Sequence, residues 1–205
     1  MSKILTVVIV FITILHCEIP ERRIVAEWEP AIGTMIRWPL GIPSDLVVEL
    51  ASEDILYVLV ETNYQQSQAT NSFNEWDINL ENVILNNTDT NSHWTRDYGP
   101  EFIIGQDYWK VINQGFNGYP VENGCGFLAA NIIDDRPLPD ETRGWDEDDD
   151  TNIDFANQMN WDIQDLPLYW TGGNFMTDGY GMGFSTKLMV NENDINENEF
   201  LDIVG

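Results

Sequence analysis

Residues 55–61, ILYVLVE, form an unbroken apolar run closed by one acid, and a run of that kind and length reads as a buried strand. Its flanks narrow the fold further. AEWEPAIGTMIRWP (26–39) reads as a strand that alternates and ends at Pro39, and Ser44 is placed to cap a helix that runs through Ala51. Together these make a strand, helix, strand unit. QQSQATNSFNEW (65–76) reads as a second short helix and ENVILNN (81–87) as another strand. EFIIG and YWKVIN read as hairpin arms on either side of Gln106-Asp107, and residues 113–127 as a glycine-rich loop. Residues 146–160 begin as a charge run and turn helical, residues 172–193 suggest a hairpin turning at Gly179 to Gly183, and residues 196–204 a last helix. No stretch has the composition of a flexible linker, so the sequence predicts one α/β body.

Lys3 followed by the apolar run Ile4 to Leu15 reads as a secretory signal, residues 1–17, too short to span a hydrocarbon core of about 30 Å. The expectation is an exported, secreted or extracytoplasmic protein whose domain occupies 18–205 and which has no membrane attachment after cleavage. Thirty-five acids against nine bases give a net charge of −26. That charge repels nucleic acid phosphates and anionic lipid surfaces and draws cations into any cleft lined by carboxylates, although solvation of the surface accounts for much of the surplus. Cleavage near Cys17 leaves Cys125 alone, so the cysteines define no disulfide framework. Asn86-Asn87-Thr88 matches a glycosylation sequon.

The stretch HWTRDYGPEF (93–102) gathers an imidazole, an indole, a guanidinium, a carboxylate and a phenol before Gly99-Pro100 turns the chain. A carboxylate at the mouth of a strand, such as Asp97, can take a planar guanidinium through two parallel charge-assisted hydrogen bonds, with Trp94 or Tyr98 offering a face to the same cation. It can equally close an internal contact with Arg96 or with the backbone of its own turn. His93 and Cys125 carry chemistry elsewhere, but one lacks a partner and the other an evident activating base, so neither is taken as catalytic. DEDDDTNID places oxygens at Asp146, Asp148, Asp150, Asn152 and Asp154, yet Thr151 and Asn157 stand where a calcium loop needs Gly and Glu; it reads as a solvated acidic loop.

AEWEPAIGTMIRWP, IPSDLVVELASED, HWTRDYGPEF, TGGNFMTDGYG and STKLMVNEN stand in the order and at roughly the spacing of the Porphyromonas-type peptidylarginine deiminase and agmatine deiminase family, which the chain resembles from about Ala26 to Gly205. The resemblance implies a pentein-type α/β propeller, strand-helix units around a central cleft, present here as the N-terminal part of the catalytic domain. It implies hydrolysis of a guanidinium group, through a thiolate that attacks its carbon and a water that releases the product, with no metal and no cofactor. Asp97 falls on the family's guanidinium-gripping aspartate, a catalytic and substrate-binding role, and Trp94 on the aromatic that covers the substrate stem.

The family's His-x-Asp pair and nucleophilic Cys belong downstream of every segment matched, and this chain has no equivalents. The expectation is therefore a truncated member of a hydrolase family, its substrate peptidylarginine, or alternatively agmatine in putrescine biosynthesis; a non-catalytic acidic module that binds cationic peptides is the reading from another class. Thr95 and Thr171 differ from the agmatine type, which favours peptidylarginine, whereas residues 116–120 lack the arginines of the peptide-terminus loop. Residues 121–145 look inserted, with Arg136 or Arg143 as candidates to compensate. Uncovered propeller edges would promote self-association.

Overall fold

In the computed structural model, which describes residues 21–116 and 146–205, every residue of strand β3 (Leu56–Val60) is buried. The strand is central in a parallel three-stranded sheet, between β2 (Thr34–Arg37) and β4 (Val83–Asn87), with Val58 opposite Ile36 and Leu85. Alternation sends its side chains to two faces. Leu56, Val58 and Val60 pack beneath helices α1 (Ser44–Glu53) and α2 (Asn63–Glu75), against Val47, Ala51 and Phe73. Tyr57 and Leu59 face the other way, toward Tyr98, Phe116 and Phe155. With helices on both sides, the strand has no solvent face and its sequence shows no polar alternation. Truncating the fully buried Phe73 to alanine would cost about 3–5 kcal/mol.

The second sheet has the order β1 (Arg22–Ile24), β5 (Glu101–Gly105), β6 (Trp109–Gly115), β7 (Ile163–Tyr169). A single helical turn, α3 (Thr95–Tyr98), leads into β5; β5 and β6 are an antiparallel hairpin, and β6 pairs in parallel with β7, with helix α4 (Asp146–Met159) between them in the chain. A small hairpin, β8 (Phe175–Thr177) and β9 (Gly183–Ser185), precedes helices α5 (Leu188–Glu192) and α6 (Glu197–Val204), which cover Leu168, Trp170 and Phe175. α6 begins with a capping box, Asn196 accepting from Asn198 and Glu199 while Glu199 returns to the Asn196 N–H. No helix among the described residues is long and apolar enough to cross a membrane.

Several expectations are corrected. The segment 26–39 is not one strand: Ala26 and Glu29 close a turn, tied by the Arg23–Glu29 ion pair at 2.6 Å, and only Thr34–Arg37 is extended. Ser44 is the first helical residue, Pro43 occupies the cap position, and no side chain caps α1. Asn113 to Gly115 belong to β6 rather than to a loop. β7 was not expected, since Pro167 interrupts its pattern; as an edge strand it tolerates the missing donor. The arm expected to run to 193 ends at Ser185 and gives way to α5. The charge run 146–150 is helix from Asp146 onward, not a solvated loop, and Asp148 is wholly buried. Asn86 is buried in β4 with its side chain accepting from Thr88, so the sequon presents no surface acceptor. The leader, Cys125 and the segment 121–145 with Arg136 and Arg143 lie outside the described residues.

Candidate functional site

The chain leaves β4 at Asn87 and reaches β5 through a connection that carries Trp94 and Asp97. α3 forms as the Asp97 N–H donates to the Trp94 carbonyl at 2.8 Å and the Gly99 N–H to the Thr95 carbonyl at 3.1 Å. Gly99 then takes a φ of +112°, and a Cβ there would sit 2.5 Å from Asn152 Oδ1, so the turn out of α3 requires glycine. One face of the turn is fixed by Tyr98, which is fully buried, packs edge-on against Phe116 and donates its hydroxyl to the Ser92 carbonyl at 3.1 Å. Burial pushes the Tyr98 phenol well above its ordinary range, reinforced by the charges of Asp148 and Asp97. Its ring is therefore not an open face for a ligand, which leaves Trp94 of the two aromatics that the sequence offered.

Trp94 is the open aromatic, 56% exposed, with its ring 4.7 Å from that of His93. His93 itself packs over Gly41, where a Cβ would meet the imidazole at 2.2 Å. Asp97 is half-buried. Arg96 donates to Glu27 Oε1 at 2.6 Å and to the Phe175 carbonyl at 3.2 Å, linking this turn to the 26–29 turn and to β8.

The second motif, TGGN, arrives directly against the first. Residues 172–174 form a 3₁₀ turn; a Cβ on Gly172 would lie 2.3 Å from the Arg96 carbonyl oxygen, and one on Gly173 would lie 2.6 Å from Asp97 Oδ1. Two glycines in tandem thus let this turn rest on α3 with nothing between it and the carboxylate. Neither motif alone announces this meeting, which joins residues over seventy positions apart.

Sequence reasoning passed over two further groups. Glu101 is buried beside Trp170, whose indole N–H lies 3.4 Å from Oε1, and desolvation pushes its carboxyl up to about 7 even though Arg96 and that hydrogen bond oppose the shift. A hollow of about 580 Å³ opens beside Arg96 and Glu101, bordered by Glu27, Phe102 and Trp109; Asp97 is not in its lining. Behind the connection runs α4. Gln158 pairs with both backbone groups of Asn87 at 2.9 and 2.8 Å, and Asn152, with Gln114 of β6, donates to the Tyr98 carbonyl at 2.8 and 3.0 Å. The available signal was a helical period of buried positions, 148, 151, 152, 155 and 156, disguised because its first three members are polar.

The arrangement offers a carboxylate with an exposed indole three residues before it, both on a backbone fixed from behind. The family model for Porphyromonas-type peptidyl-arginine deiminase matches residues 23–200. Among solved structures, agmatine deiminase of Enterococcus faecalis superimposes with a TM-score of 0.64 at 19% identity, covering 89% of this chain and 49% of that one. A variant of the C. jejuni agmatine deiminase with substrate bound gives 0.61 at 16%, covering 87% and 51%, and a protein assigned as an arginine deiminase from Porphyromonas gingivalis gives 0.62 at 14%, covering 88% and 52%. At these identities the likeness is one of fold, and the chain spans about half the length of the solved structures it matches.

Proposed function

Because the chain belongs to the Porphyromonas-type peptidyl-arginine deiminase family, we propose that it supplies the guanidinium-binding part of a guanidine deiminase, with Asp97 gripping the cation and Trp94 covering the aliphatic stem. The observation that carries this reading is the seating of Gly173 against Asp97 Oδ1 beside an exposed indole. The units described here, strands backed by helices, support a pentein-type propeller as the larger architecture.

The chemistry asked of Asp97 is positional. A guanidinium is planar and presents parallel N–H pairs, so a carboxylate that accepts two of them fixes both its distance and its plane. Each such bond is worth about 1.5–3 kcal/mol, enough to orient the substrate carbon toward a nucleophile. In the full reaction a thiolate adds to that carbon, ammonia leaves, and water cleaves the resulting thiouronium to a ureido product. In this reading Asp97 and Trp94 bind and orient, and the thiolate and its proton-transfer partner are supplied by other residues.

Peptidylarginine is the favoured substrate over agmatine. Agmatine carries a second cation at the far end of its stem, and burying that ammonium calls for a compensating acid; Thr95 and Thr171, which flank the site in sequence, provide none, and Thr95 instead donates to the Met35 carbonyl at 3.4 Å. The charge of −26 suits arginine-rich peptides and repels nucleic acid. Export through the segment 1–17 remains part of the proposal. Calorimetric titration with acetyl-arginine methylamide and with agmatine tests it: the blocked arginine is expected to bind more tightly, and tenfold tighter binding of agmatine would overturn the assignment.

A further inference from the structure

The connection between β4 and α3 has no secondary structure of its own, yet it carries Trp94 and leads directly into the helical turn that carries Asp97, the two side chains assigned to the guanidinium. Such a segment keeps its shape only if its backbone groups find partners. Those of Asn91 and Ser92 both find one atom: Asp148 Oδ1 accepts the Asn91 N–H at 2.8 Å and the Ser92 N–H at 3.2 Å. Ser92 passes the constraint on, since its Oγ accepts the Trp94 N–H at 3.3 Å and its carbonyl accepts the Tyr98 hydroxyl. Arg37 of β2 adds a further hold, donating Nη2 to the Thr90 carbonyl at 2.8 Å.

We propose that Asp148 is a positioning residue for the guanidinium site, its buried carboxylate fixing the backbone at Asn91 and Ser92 and thereby the placement of Trp94 and Asp97. This rests on the reading that those two residues take a guanidinium. A helix that served only to cover the sheet would present apolar residues inward along its whole length, as α4 does at Phe155 and Ala156. At its start it instead buries a carboxylate completely, an arrangement that costs free energy unless the charge is used. Oδ2 meets no partner among the described residues, so the hydrogen bonds that Asp148 makes there all go to this one loop. Burial pushes its carboxyl up, opposed by the Ser92 and Asn91 bonds and by the charge of Arg37.

The test compares Asp148→Leu, which keeps the branched outline and removes the acceptor, with Asp148→Asn, which keeps one carbonyl oxygen, both on the full chain and at a temperature where circular dichroism shows them folded. Amide hydrogen exchange, read without ligand, should accelerate at Asn91, Ser92 and Trp94 by at least about tenfold in Asp148→Leu and stay within about threefold of wild type in Asp148→Asn. Binding of acetyl-arginine methylamide should weaken at least about tenfold in the first and little in the second, and the loss should shrink when Asp97→Asn is already present. Exchange that rises uniformly through β4, β6 and α4, or not at all, overturns the proposal, as does unchanged ligand affinity in Asp148→Leu. If the wild type binds no guanidinium while exchange responds locally, the guanidinium reading falls and the holding role stands. Should Asp148→Leu fail to fold, Asp148→Ala takes its place with the same expected outcomes.

Discussion

Adding a single methyl group at Gly173 should damage ligand binding while leaving the fold nearly intact. The new Cβ would lie 2.6 Å from Asp97 Oδ1, against an ordinary contact of 3.4 Å or more, so the carboxylate must swing by about 0.8 Å. A charge-assisted N–H···O bond of about 2.8 Å lengthened by that amount passes out of hydrogen-bonding range. One of the two bonds to a guanidinium is then lost, a cost of about 1.5–3 kcal/mol or roughly 10- to 150-fold in affinity. Gly173 is exposed and the group it would strike is a side chain, so folding stability should fall by less than about 1 kcal/mol. Gly172→Ala is the control: its Cβ would meet the Arg96 carbonyl at 2.3 Å, and backbone cannot swing aside, so that variant should lose stability first. Titration with acetyl-arginine methylamide beside urea denaturation separates the two. Unchanged affinity in folded Gly173→Ala, or equal destabilisation by both substitutions, would refute the reasoning.

Glu101 gives the fold a pH dependence of defined sign. Its carboxyl is raised to about 7, so the folded state holds a proton that the unfolded chain has released; that stabilisation is complete below the ordinary glutamate range and is lost as pH rises through 7. The shift corresponds to about 3 kcal/mol at most, and urea denaturation at pH 5 and pH 8 should show wild type losing stability relative to Glu101→Gln by up to that amount; a parallel response of the two proteins would exclude it. If the residues assigned here only bind and orient the guanidinium, incubation of the 205-residue chain with arginine peptides or agmatine should release no ammonia, and turnover above a buffer blank would show that its own residues supply the nucleophile.

The elements legible in the sequence were those whose burial follows a single period. β3 and its two covering helices declare themselves because Leu56, Val58 and Val60 alternate with Tyr57 and Leu59 between two apolar layers. β7 stayed hidden because an edge strand can hold Pro167, and α5 because five residues are too few to establish a helical period. α4 was half legible: its inner stripe begins with Asp148, Thr151 and Asn152, and polar residues on a buried face resemble a solvated charge run until their partners, the backbone groups of Asn91, Ser92 and Tyr98, are known. At the proposed site, Asp97 and Trp94 are the candidates that the motif itself names. The burial of Tyr98, the contact of Gly173 with Asp97 and the elevated carboxyl of Glu101 could not, since each depends on which distant segment folds against it.

The assignment of Asp97 is tested most directly by titrating acetyl-arginine methylamide into the wild-type chain and into Asp97→Asn under the same conditions. Removing the charge and one acceptor should cost about 2–4 kcal/mol, a fall in affinity of roughly 30-fold to several hundredfold, measured at a temperature where both proteins are folded. Equal affinities in the two proteins would mean that this carboxylate does not hold the cation.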